Sequence, residues 1–269
     1  MSKTNDSFNT YYNCNKHNEN DPIIFVHGIG LTHKIWDDQI NYFADPVLKK
    51  YDTIVYDLIG HGKTPLNIKQ ITMNDFSKQL LSLVDSLNIK KFHLVGFSLG
   101  ALIARNFAYM NSDRLNSLTL FGTIYKRSED EKRQIINRYE TMKLKKDITK
   151  VRAVQRWFTE EFLKENPEIY KKIYSMLEKT NQDTWLKIYK LFVLHEDDDM
   201  KIKQITCKTL IITGEEDIGS KPRMSKEISK LIQGSLCKII ENGRHLCNIE
   251  CAKRFNLTLK EFIDDSNNA

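Results

Sequence analysis

Short apolar runs alternate with amphipathic stretches along most of the chain, the pattern of a parallel sheet covered on both faces by helices. Runs at Ile23–Val26, Thr53–Tyr56, Phe92–Val95, Leu118–Phe121, Thr209–Thr213 and Cys237–Ile240 predict strands. Apolar positions at helical spacing predict helices near 36–44, 73–87, 99–110, 221–232 and 250–263. The alternation stops between Tyr125 and Met200. That stretch has no strand-like run and reads as helices over 127–146, 150–165, 168–179 and 183–195, with Pro167 at a helix start and Asn181 or Asp183 as a cap. Strands resume at Cys207. The pattern therefore predicts an α/β core of residues 1–124 and 202–269, interrupted by a helical cap over 125–201 that is carried across the ends of the flanking strands.

The strongest local signal runs from Phe92 to Ala104, where a strand-like run enters Gly96-Phe97-Ser98-Leu99-Gly100 and a small, apolar helix leaves it. A tight strand-to-helix turn strains the central residue and exposes its hydroxyl, and the two glycines lack the β-carbons that would collide there. A helix start also offers free N–H groups to a developing negative charge. Upstream, Ile23-Ile24-Phe25-Val26 ends in His27-Gly28-Ile29-Gly30, a loop able to turn a backbone N–H toward the serine. Acyl transfer needs two such donors for its tetrahedral oxyanion. Leu99 and Ile29 are the candidates, while His27, at a strand end, is expected to bond loop backbone. A third segment, Asp57-Leu58-Ile59-Gly60-His61-Gly62-Lys63-Thr64, imitates the end of a phosphate-binding loop, but aspartate stands where that loop needs glycine and no clear helix follows. It does not predict a nucleotide site.

Taken together, these three motifs resemble the α/β-hydrolase superfamily. The resemblance implies a mostly parallel sheet of up to eight strands, an inserted helical cap and a Ser–Asp–His triad in that chain order. The acid then follows a late strand, where Leu210-Ile211-Ile212-Thr213-Gly214-Glu215-Glu216-Asp217 places Asp217, with Glu215 or Glu216 as replacements if the loop register differs. The base follows the last strand, where Glu241-Asn242-Gly243-Arg244-His245 places His245. Ser98 is then the nucleophile, and the hydrolase domain spans residues 22–264. Residues 1–20 are too short and polar for two good opening strands, so a sheet reduced at that edge is expected. His17 and His33 are expected at the surface.

A narrower likeness joins Arg156-Trp157-Phe158-Thr159-x-x-Phe162 in the cap to the segments after Asp217 and around His245. Together they resemble the 3-oxoadipate enol-lactonase branch, and that resemblance implies a small, carboxylate-bearing lactone as substrate. Trp157 and Arg156 are then candidate substrate contacts, with Arg138 and Arg152 as further cap arginines able to fork onto a carboxylate. Equally, Trp157, Phe158 and Phe162 at helical spacing can be the cap's own core, and the arginines can face solvent or pair with Glu140 and Glu160. Two other activities share the same triad residues: carbon–carbon bond hydrolysis of ring-cleavage products, and a ligand receptor or signalling protein that keeps the triad.

Composition narrows the partners. The net charge of +6 comes from lysines scattered among nearly as many acids, with no polybasic block, which argues against nucleic acid as a partner. The N-terminus has no apolar leader and no stretch is long enough to span a bilayer, so no membrane association is expected. Five cysteines without framework spacing suggest a reduced, cytoplasmic protein. His245, Cys247 and Cys251 lack a second ligand pair, so neither a metal nor an organic cofactor is expected.

Overall fold

The computed structural model describes residues 2–15, 20–45, 51–144 and 146–267. Eight strands make one sheet: β1 (Ser2–Lys3), β2 (Tyr11–Asn15), β3 (Ile23–Val26), β4 (Thr53–Tyr56), β5 (Phe92–Phe97), β6 (Leu115–Phe121), β7 (Lys208–Gly214) and β8 (Leu236–Ile240). Their spatial order is β1-β2-β4-β3-β5-β6-β7-β8, with β2 antiparallel to β4 and every pair from β4 to β8 parallel. The central strands are buried on both faces, which is why they read as unbroken apolar runs rather than as alternation.

The expectation of a reduced edge is corrected here. β2 is a five-residue strand in register with β4, pairing Tyr12 with Tyr56, and β1 adds two residues beyond it. Polar residues are tolerated because this edge is only half covered, and side chains replace an apolar anchor. Tyr11 N–H donates to Thr64 Oγ1 and Asp57 N–H to Tyr11 O, both at 2.9 Å. Buried Thr4 and Thr10 close the turn between the two strands, Thr10 N–H donating to Thr4 Oγ1.

The core helices are α1 (Asp37–Phe43), α2 (Met73–Ser86) and α3 (Leu99–Asn111). A capping box between Thr72 and Asp75 starts α2, as that residue pair at N-cap and N3 should. Between β6 and β7 the chain forms α4 (Glu129–Leu144), α5 (Lys146–Trp157), α6 (Glu160–Glu165), α7 (Pro167–Lys179), α8 (Gln182–Val193) and α9 (Asp199–Lys203). Asn181, rather than Asp183, caps α8 through Thr184 N–H. The single helix expected over 150–165 is two, because Thr159 turns extended and its hydroxyl caps α6 through Phe162 N–H. After β7 come α10 (Pro222–Ser229), α11 (Cys247–Glu250) and α12 (Ala252–Asn267).

The two ends of the inserted helical segment are tied to each other and to the core. Asp197 accepts from Lys126 N–H and from Arg105 of α3, while Asp199 accepts from Tyr125 Oη and Lys126 Nζ. His195 stands 2.6 Å from the same Arg105 guanidinium.

Candidate active site

Five loops at the carboxyl ends of parallel strands, those after β3, β5, β6, β7 and β8, converge on one cavity, the place where open α/β sheets bind ligands. Between β5 and α3, Ser98 adopts φ 53° and ψ −111°, a region that a non-glycine residue occupies only under compulsion. The compulsion is visible at the flanking glycines. A Cβ on Gly96 would lie 2.3 Å from Gly100 O, and one on Gly100 would lie 2.3 Å from Val26 O. Only glycine lets the helix pack this tightly against two strands.

The loops after β7 and β8 bring Asp217 and His245 together. These strands are neighbours, and their loops bond each other through Glu215 N–H to Ile240 O and Glu216 N–H to Gly243 O. His245 Nδ1 lies 2.6 Å from Asp217 Oδ2. The other carboxylate oxygen, Oδ1, accepts from Gly219 and Ser220 N–H, so the acid cannot rotate away. β5 and β7 are separated by one strand, roughly 9–10 Å, which an imidazole on a returning loop can bridge. Ser98, Asp217 and His245 are all nearly buried and line the same cavity. Glu215 and Glu216 do not: Glu215 accepts from Asn242 N–H and Glu216 lies beside Arg244, both at the surface.

On the other side of Ser98, two buried histidines shape the loop after β3. His27 bonds Gly28 O through Nδ1 and accepts Leu58 N–H at Nε2, the backbone role its position suggests. His61 does the same with Ile59 O and Gly30 N–H. Gly30's amide is thereby taken, whereas among the described residues the amides of Ile29 and Leu99 have no acceptor. Asp57 occupies the space a phosphate would need in the glycine-rich segment, accepting from Lys63 N–H and from His33. His33 is therefore buried against Asp57, not at the surface. Its partner carboxylate lies 24 residues away, out of reach of a local reading. His17 lies outside the described residues.

Both ring nitrogens of His27 and His61 are spoken for in the neutral form, and burial pushes their pKa values down to about 3 and about 4. Burial does the same to His93 in β5, to about 4. An unfolded histidine takes its proton near 6.5, so between pH 6.5 and pH 4 the unfolded chain binds more protons than the folded one. Stability is therefore full above pH 6.5 and falls with pH below it, by about 1.4 kcal/mol per pH unit for each histidine. Urea midpoints at pH 7 and pH 5 should show this loss, and because burial lowers His195 as well, His93→Gln should reduce its slope by about a quarter to a third. An unchanged slope in that variant contradicts the assignment.

The inserted helices supply the remaining walls. Trp157 is half buried, with its ring 6.2 Å from His245, and lines the cavity. Phe158 and Phe162 stack on each other instead. The Arg-Trp-Phe-Thr run is also where the insertion grips the loop that carries His245. Arg244 donates to Gln155 O and Phe158 O, Leu246 N–H donates to Trp157 O, and Glu250 accepts from both Thr159 and Arg244 N–H. Arg138 and Arg156 line the cavity, and burial followed by the nearby Arg138 pushes the Arg156 guanidinium down to about 10, still charged at neutral pH. Arg152 does not reach it. One turn back along α5, it is exposed and lines an outer cavity that shares Arg138 and Arg156 with the inner one, while its carbonyl accepts from Arg156. Glu140 and Glu160, the acids available to these arginines, are taken by Lys143 and Lys164. A cavity arginine that sequence reading missed is Arg127, just before α4. It lacks any motif, and only the fold turns it inward.

A model of the alpha/beta hydrolase fold family matches residues 21–251. The chain belongs to the α/β-hydrolase family. It is similar to the (E)-2-((N-methylformamido)methylene)succinate hydrolase of Acinetobacter baylyi, at 24% identity over 91% of both chains. It is also similar to 3-oxoadipate enol-lactonase 2 of the same organism, at 25% identity over 87% of this chain and 85% of that one. Among solved structures, the enol-lactonase from Burkholderia xenovorans superposes with a TM-score of 0.84 at 22% identity, covering 95% of this chain and 96% of that one. This α/β-hydrolase is accordingly a hydrolase resembling the enol-lactonase-like proteins. No helix among the described residues is long and apolar enough to cross a membrane, and no group of His, Cys, Asp or Glu side chains among them could hold a metal ion.

Proposed function

We propose that this α/β-hydrolase cleaves a small, carboxylate-bearing ester or lactone through an acyl-enzyme. The observation that carries the reading is the strained Ser98 sharing one cavity with the hydrogen-bonded His245–Asp217 pair and with the Ile29 loop. In this reading His245 Nε2 accepts the Ser98 proton as Oγ attacks the carbonyl carbon, and Asp217 holds the imidazole in the tautomer that leaves Nε2 free. The Ile29 and Leu99 amides donate to the oxyanion. The His245 proton passes to the leaving oxygen, and a water deprotonated by His245 then releases the acid and restores Ser98.

A cavity of about 90 Å³ suits short acyl groups. The substrate's carboxylate is supported by Arg138 and Arg156, which have no acidic partner among the described residues, and by two relatives named for acids, a substituted succinate and 3-oxoadipate. The test is a panel of neutral and acidic short esters and lactones, with a ring-cleavage dienone as comparison. Turnover of small esters or lactones, and labelling of Ser98 by a fluorophosphonate that vanishes in Ser98→Ala, is expected. Turnover of the dienone alone, or equal labelling of the variant, overturns the reading.

A further inference from the structure

The cavity beside Ser98 carries more positive charge than one carboxylate requires. Arg127, Arg138 and Arg156 all line it, and its two acidic residues are already engaged, Asp217 with His245 and Glu131 with Lys221 and Arg223. Three guanidiniums in one small cavity repel each other, and their separation from water deepens that cost. Arg156 directly precedes Trp157, whose ring lies 6.2 Å from His245, and so stands toward the reacting end of the cavity, whereas Arg127 is bonded to Phe192 O beside the Lys126–Asp197 tie.

Arg127 is held in place rather than free to swing out. Nη1 donates to Phe192 O at 3.0 Å, and the guanidinium lies 4.5 Å from the centre of the Phe192 ring. Nη2 is shut off from solvent and has no acceptor among the described residues. A buried, charged N–H without a partner is costly, and a small turn of the guanidinium, with Nη1 kept on Phe192 O, brings Nη2 onto an arriving anion and relieves that cost. Arg156 and Arg138 suffice for a single carboxylate beside the scissile bond, which leaves Arg127 as a fixed, unsatisfied donor farther along the cavity.

We propose that the site selects substrates bearing two carboxylates besides the bond that is cleaved, the second one held by Arg127. The inference rests on the ester-hydrolase reading for the position of the scissile carbonyl. Ethyl butyrate, monoethyl glutarate and monoethyl tricarballylate carry zero, one and two free carboxylates and form the test series. kcat/KM is expected to rise along it, with a gain of about tenfold or more at the last step, the size of a charge-assisted hydrogen bond. Arg127→Met keeps the stem over Phe192 and should remove that last gain through KM, with a loss for ethyl butyrate at least about tenfold smaller. Arg127→Lys should restore part of it.

On the wild type, tricarballylate should also inhibit more tightly than glutarate. Ser98→Ala protein should keep the same preference when titrated with the two acids in a calorimeter. Similar kcat/KM for all three esters, or an Arg127→Met loss equal across them, overturns the inference while leaving the ester reading standing. If no ester is turned over but tricarballylate still binds more tightly than glutarate in an Arg127-dependent way, the ester reading falls and the two-carboxylate site remains.

Discussion

Ser98→Ala is expected to lower kcat for any ester or lactone the protein turns over by about 10⁶-fold, while leaving substrate binding largely in place. The size follows from the role proposed for the serine: without Oγ no acyl-enzyme would form, and what would survive is attack by water helped by the Ile29 and Leu99 amides and by positioning. The elbow itself should persist, because its shape is set by Gly96 and Gly100 against neighbouring backbone rather than by the serine hydroxyl. Alanine at φ 53° bears much the same strain as serine. Steady-state kinetics with enzyme purified free of wild-type carry-over, set beside the thermal midpoint of both proteins, checks this. A variant with normal stability and a loss below about tenfold means that another residue is the nucleophile.

Asp217→Asn should cost about 10⁴-fold in kcat. Asp217 Oδ2 faces His245 Nδ1 while Oδ1 is fixed by two amides, so the mutant amide keeps its oxygen toward Gly219 and Ser220 and turns its NH₂ toward the imidazole. That donor favours the tautomer with a proton on Nε2, where a free lone pair is needed. Glu216→Gln should change kcat by less than about threefold, because Glu216 sits at the surface, 3.6 Å from Arg244. Both variants can be measured on one short ester at pH 8. A large loss in Glu216→Gln with little in Asp217→Asn reverses the assignment of the acid.

Much of this arrangement is legible in the sequence because its most constrained parts leave coarse marks. A strand buried on both faces is mostly apolar, so Ile23–Val26 announces itself, and Phe92–Val95 does so despite His93, which finds Ser117 Oγ inside the core. A turn that brings a helix within van der Waals reach of two strands admits only glycine, so Gly96 and Gly100 bracket Ser98 in plain view. Where a side chain's environment is set by distant partners, the reading failed. His33 looks like a loop residue until Asp57 is folded onto it. β2 looks like a polar leader because its anchors are hydroxyls and backbone, Thr64 and Asp57, rather than apolar packing. Arg152 and Arg156 lie one helical turn apart on α5, and of the two only Arg156 reaches the inner cavity. The break at Thr159 was also hidden, since threonine is common inside helices and only its bonds to Phe162 and Glu250 reveal it as a boundary.

The knot of Arg105, Asp197 and Lys126 has a consequence for how such a protein can diversify. Beyond the end of β6 and ahead of β7, a single hydrogen bond of 2.8 Å from Lys126 N–H to the Asp197 carboxylate ties the outgoing chain to the returning one, so everything between them is a closed excursion. Lengthening or replacing that excursion does not touch the pairing of β6 with β7, and only the loop of His245 leans on it, through Gln155, Trp157 and Phe158. Arg127, Arg138 and Arg156 all lie within it. Mutational change can thus reach the cavity arginines through the excursion while leaving the sheet alone, provided that the stretch from Gln155 to Thr159, which holds the His245 loop, is kept.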